Sequence, residues 1–144
     1  MFGAGSGGLM GITARAVLAA GGTVTGAVPT FLTELEVPVP GIHDLRVVET
    51  MNERKQMLYD AADAFIVLPG GIGTLDELTE TVMMRQLHRH AKPTVVINLQ
   101  GYWEPWLLML RQTVQRGFAD PRILDICHTV DDVPSALRYL GIAV

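Results

Sequence analysis

The chain has 144 residues, 49% of them hydrophobic and 18% charged, with a formal net charge of −4 at pH 7. That is one domain's worth of chain, apolar enough to bury a core and to exclude disorder, and acidic enough to exclude general electrostatic attraction for nucleic acid. No apolar run approaches the roughly 18 residues of a membrane span, no basic leader precedes an apolar segment, and the single cysteine, Cys127, excludes an internal disulfide. A cytoplasmic protein is therefore expected, with part of its apolar surface covered by a partner subunit.

Phe2 to Gly8 reads as a glycine-rich loop, and Leu9 to Ala20 as a helix that Gly21-Gly22 stops. Gly22 to Val28 is a strand ending at Pro29, and Thr30 to Arg46 a polar, proline-containing connection over the strand ends. From Val47 to Ala62 the positions 47, 48, 51, 55, 58 and 62 trace a helical stripe. Arg54 and Lys55 sit on or at the edge of that stripe, where a purely structural helix prefers apolar residues. A ligand-binding pair and a solvated, snorkelling pair both fit that position.

The apolar run Ala64 to Leu68 predicts a strand buried on both faces, and Pro69-Gly70-Gly71-Ile72-Gly73 the turn that leaves it. Three glycines in four positions open backbone conformations closed to other residues and let a ligand approach the main chain. A helix follows from Thr74 to about His90, with Thr74 as its expected cap. Its free amides and positive dipole end suit an anion, a phosphate most of all. A plain reading is also open: the glycines make only a tight turn, and Thr74-Leu75-Asp76-Glu77 is a capping box.

Along this helix Leu75, Leu78, Val82 and Gln86 share one side, while Glu77 and Glu80 are three apart and share another near its start. Met83 and Met84 are expected in the core or at a subunit contact. His88 and His90 are too close for one helical face and have no partnering acid or cysteine pattern, so no metal site is expected. Lys92-Pro93 ends the helix, Thr94 to Leu99 is a buried parallel strand, and Gly101 to Pro105 turns the chain. Trp106 to Arg116 is a helix stopped by Gly117. Ile123 to Thr129 is the next strand, with Cys127 a small core residue in it. Asp131 or Asp132 then caps a last helix that has Pro134 in its first turn. Alternating strands and helices imply an α/β fold: an open, mostly parallel Rossmann-like sheet with helices on both faces, in a single domain over residues 1–144.

Met51-x-x-Arg54-Lys55, followed by Pro69-Gly70-Gly71-x-Gly73-Thr74-x-x-Glu77, resembles the signature of the Lonely Guy (LOG) family, the cytokinin riboside 5'-monophosphate phosphoribohydrolases. Phe2 to Gly11 is similar to that family's YGGG-x-x-GLMG loop, with Ala4 where the family has glycine. Gln86-Leu87, Lys92-Pro93, Asn98, Gly101-Tyr102 and Gly117-Phe118 match later landmarks, up to about residue 125. A tryptophan is common where Met84 stands, and Glu36 falls where plant members carry a glutamate near the substrate base. Against the family pattern the first strand and helix are missing, and the expectation is that the chain starts downstream of the real start.

The resemblance implies hydrolysis of the N-glycosidic bond of a purine nucleoside 5'-monophosphate, to free base and ribose 5-phosphate, with no metal or redox cofactor. Arg54 and Glu77 are then catalytic. Met51, Lys55, Gly70, Gly71, Gly73, Thr74 and Glu80 bind substrate. In an open α/β sheet ligands lie beyond the carboxyl ends of the strands, so the phosphate is expected over Gly71, Gly73 and Thr74, with the scissile bond near Glu77. Cleavage passes through an oxocarbenium-like sugar that a carboxylate beside C1' stabilises, and Arg54 would offset repulsion between that carboxylate and the phosphate. AMP and its N6-prenylated form are equally open, and a homodimer with sites near the subunit contact is implied. The alternative is a non-catalytic nucleotide or molybdenum-cofactor carrier of the same fold. A lysine decarboxylase label often accompanies the PGG motif, but that reaction normally holds pyridoxal through a lysine, and Lys55 and Lys92 offer no convincing setting.

Overall fold

In the computed structural model, which describes residues 1–34 and 37–143, the named strands run parallel to their neighbours and fall into two open sheets. The chain divides into two units, Met1–Ala62 and Asp63–Val144. The α/β class and the parallel pairing are those expected from the alternation of elements.

The first unit contains α1 (Gly8–Ala19), β1 (Thr25–Pro29), β2 (Asp44–Val48) and α2 (Met51–Ala61). β1 and β2 pair in register from Thr25 with Asp44 to Pro29 with Val48. Phe2 adds a bridge to Gly26, fixed by its amide on the Thr25 carbonyl and by the Ala27 amide on its own carbonyl, both at 3.0 Å. Ala14 of α1 packs with Val24 and Val39, and Phe2, Leu18 and Ile42 close around them. Gly21, at φ +77°, ends α1 as the glycine pair predicts: its amide reaches the Leu18 carbonyl and that of Gly22 the Val17 carbonyl.

The second unit contains β3 (Phe65–Val67), α3 (Ile72–Gln86), β4 (Thr94–Ile97), α4 (Glu104–Gln115), β5 (Cys127–Val130) and α5 (Val133–Tyr139), with sheet order β3-β4-β5. All of β4 is buried, and its alternation assigns a core to each face. Val96 meets Leu78 and Val82 of α3 and Trp103, while Val95 and Ile97 meet Ala136 of α5. Helices therefore cover both faces of this sheet. Asp132 caps α5 through the Ser135 amide at 2.7 Å, with Pro134 in the first turn, and Gly117 ends α4. The hydrogen bond from Ser135 holds the Asp132 carboxyl below its ordinary range.

Several expectations are corrected. The connection from Thr30 to Arg46 contains the start of β2, and Val47 and Val48 belong to that strand rather than to a helix, which begins only at Met51. β2 is exposed along most of its length, so its Asp44 and Arg46 hide it from a hydrophobic pattern. β3 is not buried on both faces: Ile66 is 44% exposed, on a strand at the end of its sheet order. α3 starts at Ile72 with Gly71, not Thr74, as its cap. It ends at Gln86 because His88 turns into the left-handed region, φ +56°, and the Arg89 amide closes back on the Met84 carbonyl. Ile123 to Asp125 lies in a 3-10 turn, and only Cys127–Val130 forms strand.

Candidate functional site

The first unit holds Met51, Arg54 and Lys55 on the opening turns of α2. A capping box fixes that opening: the Glu53 amide donates to Thr50 Oγ1 at 3.1 Å, and the Thr50 and Glu49 amides donate to the Glu53 carboxylate at 3.1 and 2.9 Å. Met51, Arg54, Lys55 and Leu58 are half-buried while Asn52, Glu53 and Gln56 face solvent, so the cationic pair does occupy the inward side of the helix. Arg54 Nη1 lies 3.8 Å from Met51 Sδ, and Nε is shielded from solvent. On its other side the guanidinium lies against the main chain of Gly3, where a methyl group would stand 1.9 Å from Nη2.

The second unit holds the glycine turn. Gly71 is extended (φ −88°, ψ −155°) and its carbonyl accepts the Leu75 amide at 3.1 Å, but no side chain among the described residues caps α3 there. The glycines do different work. A Cβ on Gly70 would lie 2.2 Å from Thr74 Oγ1, so Gly70 makes room for that hydroxyl, whereas a Cβ on Gly71 or Gly73 would meet nothing within 4 Å. Thr74 thus folds back on the turn from the first turn of the helix instead of capping it. Glu77 follows at i+3, about 4.5 Å further along the axis and on the same side. Glu77 and Glu80 are half-buried and both are engaged with neighbouring groups.

Tyr102 fastens this turn, its hydroxyl donating to the Gly70 carbonyl at 2.6 Å. Asn98, buried at the end of β4, sets up the approach by accepting the Trp103 amide at 2.7 Å and donating to Glu104 at 2.8 Å. Neither Gly3 nor Tyr102 stands out as a site residue in the sequence; both are glycine-loop contacts made across 32 or more positions, beyond the reach of any local pattern. Glu36 lies outside the described residues.

Elsewhere the titratable groups have structural surroundings. Burial pushes the Cys127 thiol up to about 12, against a lowering by the nearby Arg85 charge, as suits a residue packed beside Leu78, Val82, Val96 and Trp103. His90 sits 3.1 Å from the Thr81 carbonyl and tilts against the Phe65 ring. Among the described residues no three His, Cys, Asp or Glu side chains are grouped to hold a metal ion, and no helix is long and apolar enough to cross a membrane.

Parallel strands, helices on both faces of the second sheet and a glycine turn opening a helix define a Rossmann-like α/β protein. Residues 10–140 match a family model described as "Possible lysine decarboxylase". The chain belongs to this family, the LOG family.

It is 39% identical over 140 residues to the probable cytokinin riboside 5'-monophosphate phosphoribohydrolase LOGL9 of Oryza sativa subsp. japonica, covering 97% of this chain and 62% of that protein. It is 42% identical over 118 residues to the rice protein LOG, covering 82% and 49%, and 36% identical over 140 residues to LOG7 of Arabidopsis thaliana, covering 97% and 64%. Both of those are named cytokinin riboside 5'-monophosphate phosphoribohydrolases. The chain thus spans less than two thirds of the length of these relatives. The carrier alternative finds no support in their names.

Proposed function

We propose that the protein hydrolyses the N-glycosidic bond of a purine nucleoside 5'-monophosphate, releasing the free base and ribose 5-phosphate. The observation that carries the reading is the division of labour among the glycines of the second unit. Gly70 is required by Thr74, but a Cβ on Gly71 or Gly73 would meet nothing within 4 Å among the described residues. Those two open positions and the uncapped amides at the start of α3 suit a phosphate, with the Thr74 hydroxyl beside it. Glu77, on the same side of the helix, is then the carboxylate that faces C1' as positive charge develops on the sugar. Arg54 and Lys55 are the cationic residues that the family resemblance assigns to the same reaction. Relatives at 36 to 42% identity that are named cytokinin riboside 5'-monophosphate phosphoribohydrolases, one of them as probable, support the reaction.

A homodimer accompanies this reading. Ile72 and Phe118 are 84% and 81% exposed, and Leu87 and Met109 are each 60% exposed, which is apolar surface suited to a second copy of the chain. Decarboxylation of lysine is not our reading. Pyridoxal chemistry would need a free lysine amine for the cofactor aldehyde, and Lys55 and Lys92 are both half-buried and already engaged.

Incubation with AMP and with isopentenyladenosine 5'-monophosphate, with release of free base as the readout, tests the proposal. Glu77→Ala and Arg54→Ala should each lower release about 10²-fold or more, the loss that follows removal of a positioned acid-base or electrostatic group. Release untouched by both substitutions would overturn it.

A further inference from the structure

We propose that Gly3 is a positioning residue for Arg54: the absence of a side chain at position 3 forms the seat on which the guanidinium lies. The backbone at Gly3 has no need of glycine for its own conformation, since it is not among the residues with positive φ. Space is what requires it. A Cβ there would fall 1.9 Å from Arg54 Nη2, 3.0 Å from Cζ and 3.4 Å from Nε, and Gly3 is buried.

Neither partner can retreat as a unit. The main chain beside Gly3 is tied to β1 through both hydrogen bonds of Phe2 and reaches the Val39 amide through the Ala4 carbonyl at 3.4 Å. The main chain of Arg54 is tied to Thr50 at 3.1 Å, inside the capping box. A methyl at position 3 therefore displaces the one movable group between them, the end of the Arg54 side chain. Met51 Sδ, one turn earlier, forms the second wall of the seat, which gives the Met51-x-x-Arg54 spacing a physical reason: i and i+3 are neighbours on a helix. The cost of filling the seat falls on where the guanidinium points, not on the fold.

The activity arm of the test rests on the hydrolase reading, and the spectroscopic arm does not. The proteins to compare are wild type, Gly3→Ala, Arg54→Ala and the double variant, by the 15N-edited Nε–H resonance of Arg54, by melting temperature and by release of adenine from AMP. Gly3→Ala should move the Arg54 Nε–H resonance, leave the melting temperature within a few degrees and lower adenine release tenfold or more. In the Arg54→Ala background the same methyl should have no further effect, because the group it displaces is gone. An Arg54 resonance unmoved by Gly3→Ala, or an equal loss of release in both backgrounds, overturns the proposal. Wild type that releases no free base from AMP or from isopentenyladenosine 5'-monophosphate overturns the hydrolase reading alone, and the resonance then decides the seat. Should Gly3→Ala not fold, combining it with Arg54→Lys, which lacks the Nη atoms the methyl would overlap, should restore folding; persistent unfolding counts against the seat.

Discussion

The two units reach order by different means. In the second, β4 is wholly buried, and large side chains meet on each of its faces: Leu78, Val82, Val96 and Trp103 on one, Val95 and Ile97 with Ala136 on the other. In the first, the buried cluster is Ala14, Val24 and Val39, β2 is exposed and α2 has no fully buried residue. β1 is buried from Gly26 to Pro29, and to this smaller core that unit adds backbone devices: the capping box at Thr50, the bridge of Phe2 to β1 and the close approach of Gly3 to Arg54. The lesson concerns where precision comes from. The glycine turn is carried by a packed sheet, whereas the guanidinium is placed by hydrogen bonds and by an empty position.

The largest expected effect probes the seal of the second unit. With its thiol pushed up to about 12 by burial, Cys127 should react with iodoacetamide at pH 8 about 10³-fold or more slowly than a free thiol. Rapid labelling of the native protein would break the contrast. The same group gives a pH dependence. Below its ordinary value of 9.0 the thiol is neutral in both folded and unfolded chains, and stability is unaffected. As pH rises from 9 towards 12 the unfolded chain ionises and the folded one does not, so stability should fall across that range, visible as a lowered melting temperature that Cys127→Ala lessens.

Next in size are two core truncations followed by urea unfolding. Leu78→Ala should cost about 2–5 kcal/mol, as fully buried leucines do. Val24→Ala in the first unit should cost less, about 1–3 kcal/mol, from two methyl groups at ~0.8 kcal/mol each and a small cavity. Equal losses would mean that the first unit has a core as demanding as the second. Smallest is Ala4→Gly. Ala4 is at φ +69°, in the left-handed region that costs an L-residue about 1–2 kcal/mol, so glycine relieves strain there. Removing its buried methyl costs ~0.8 kcal/mol in return, and the net change should stay within about 1 kcal/mol.

Much of the fold is legible in the sequence because local chemistry and tertiary context agree. Gly21, Gly117 and the Asp132-Val133-Pro134 run end or start helices where their backbone preferences require. β4 is Thr94 followed by the apolar run Val95 to Ile97, and it is buried throughout. The failures have definite causes. Thr-x-x-Glu occurs at both Thr50 and Thr74, and only the first forms a capping box, because Gly71, three residues upstream of Thr74, already caps α3 and places Thr74 inside the helix. Val47-Val48 fits a helical stripe and a strand equally well, and pairing with Val28 and Pro29 decides for the strand. At the site, the residues proposed to touch substrate come from the motifs that carry the family resemblance. The groups that hold them do not: Gly3 under Arg54 and Tyr102 on Gly70 are meetings of distant segments.

One close approach couples two distant positions. A Cβ on Gly26 would stand 2.9 Å from the Ala4 methyl and 3.2 Å from Leu45 Cδ1, so the loop and the strand share a gap sized for a single carbon. Occupancy is a matter of exclusion: a methyl on the loop leaves the strand bare, and a bare loop opens the gap for a carbon on the strand. Substitutions at 4 and 26 should therefore be read as a pair, since a change harmful in one background becomes permissible in the other.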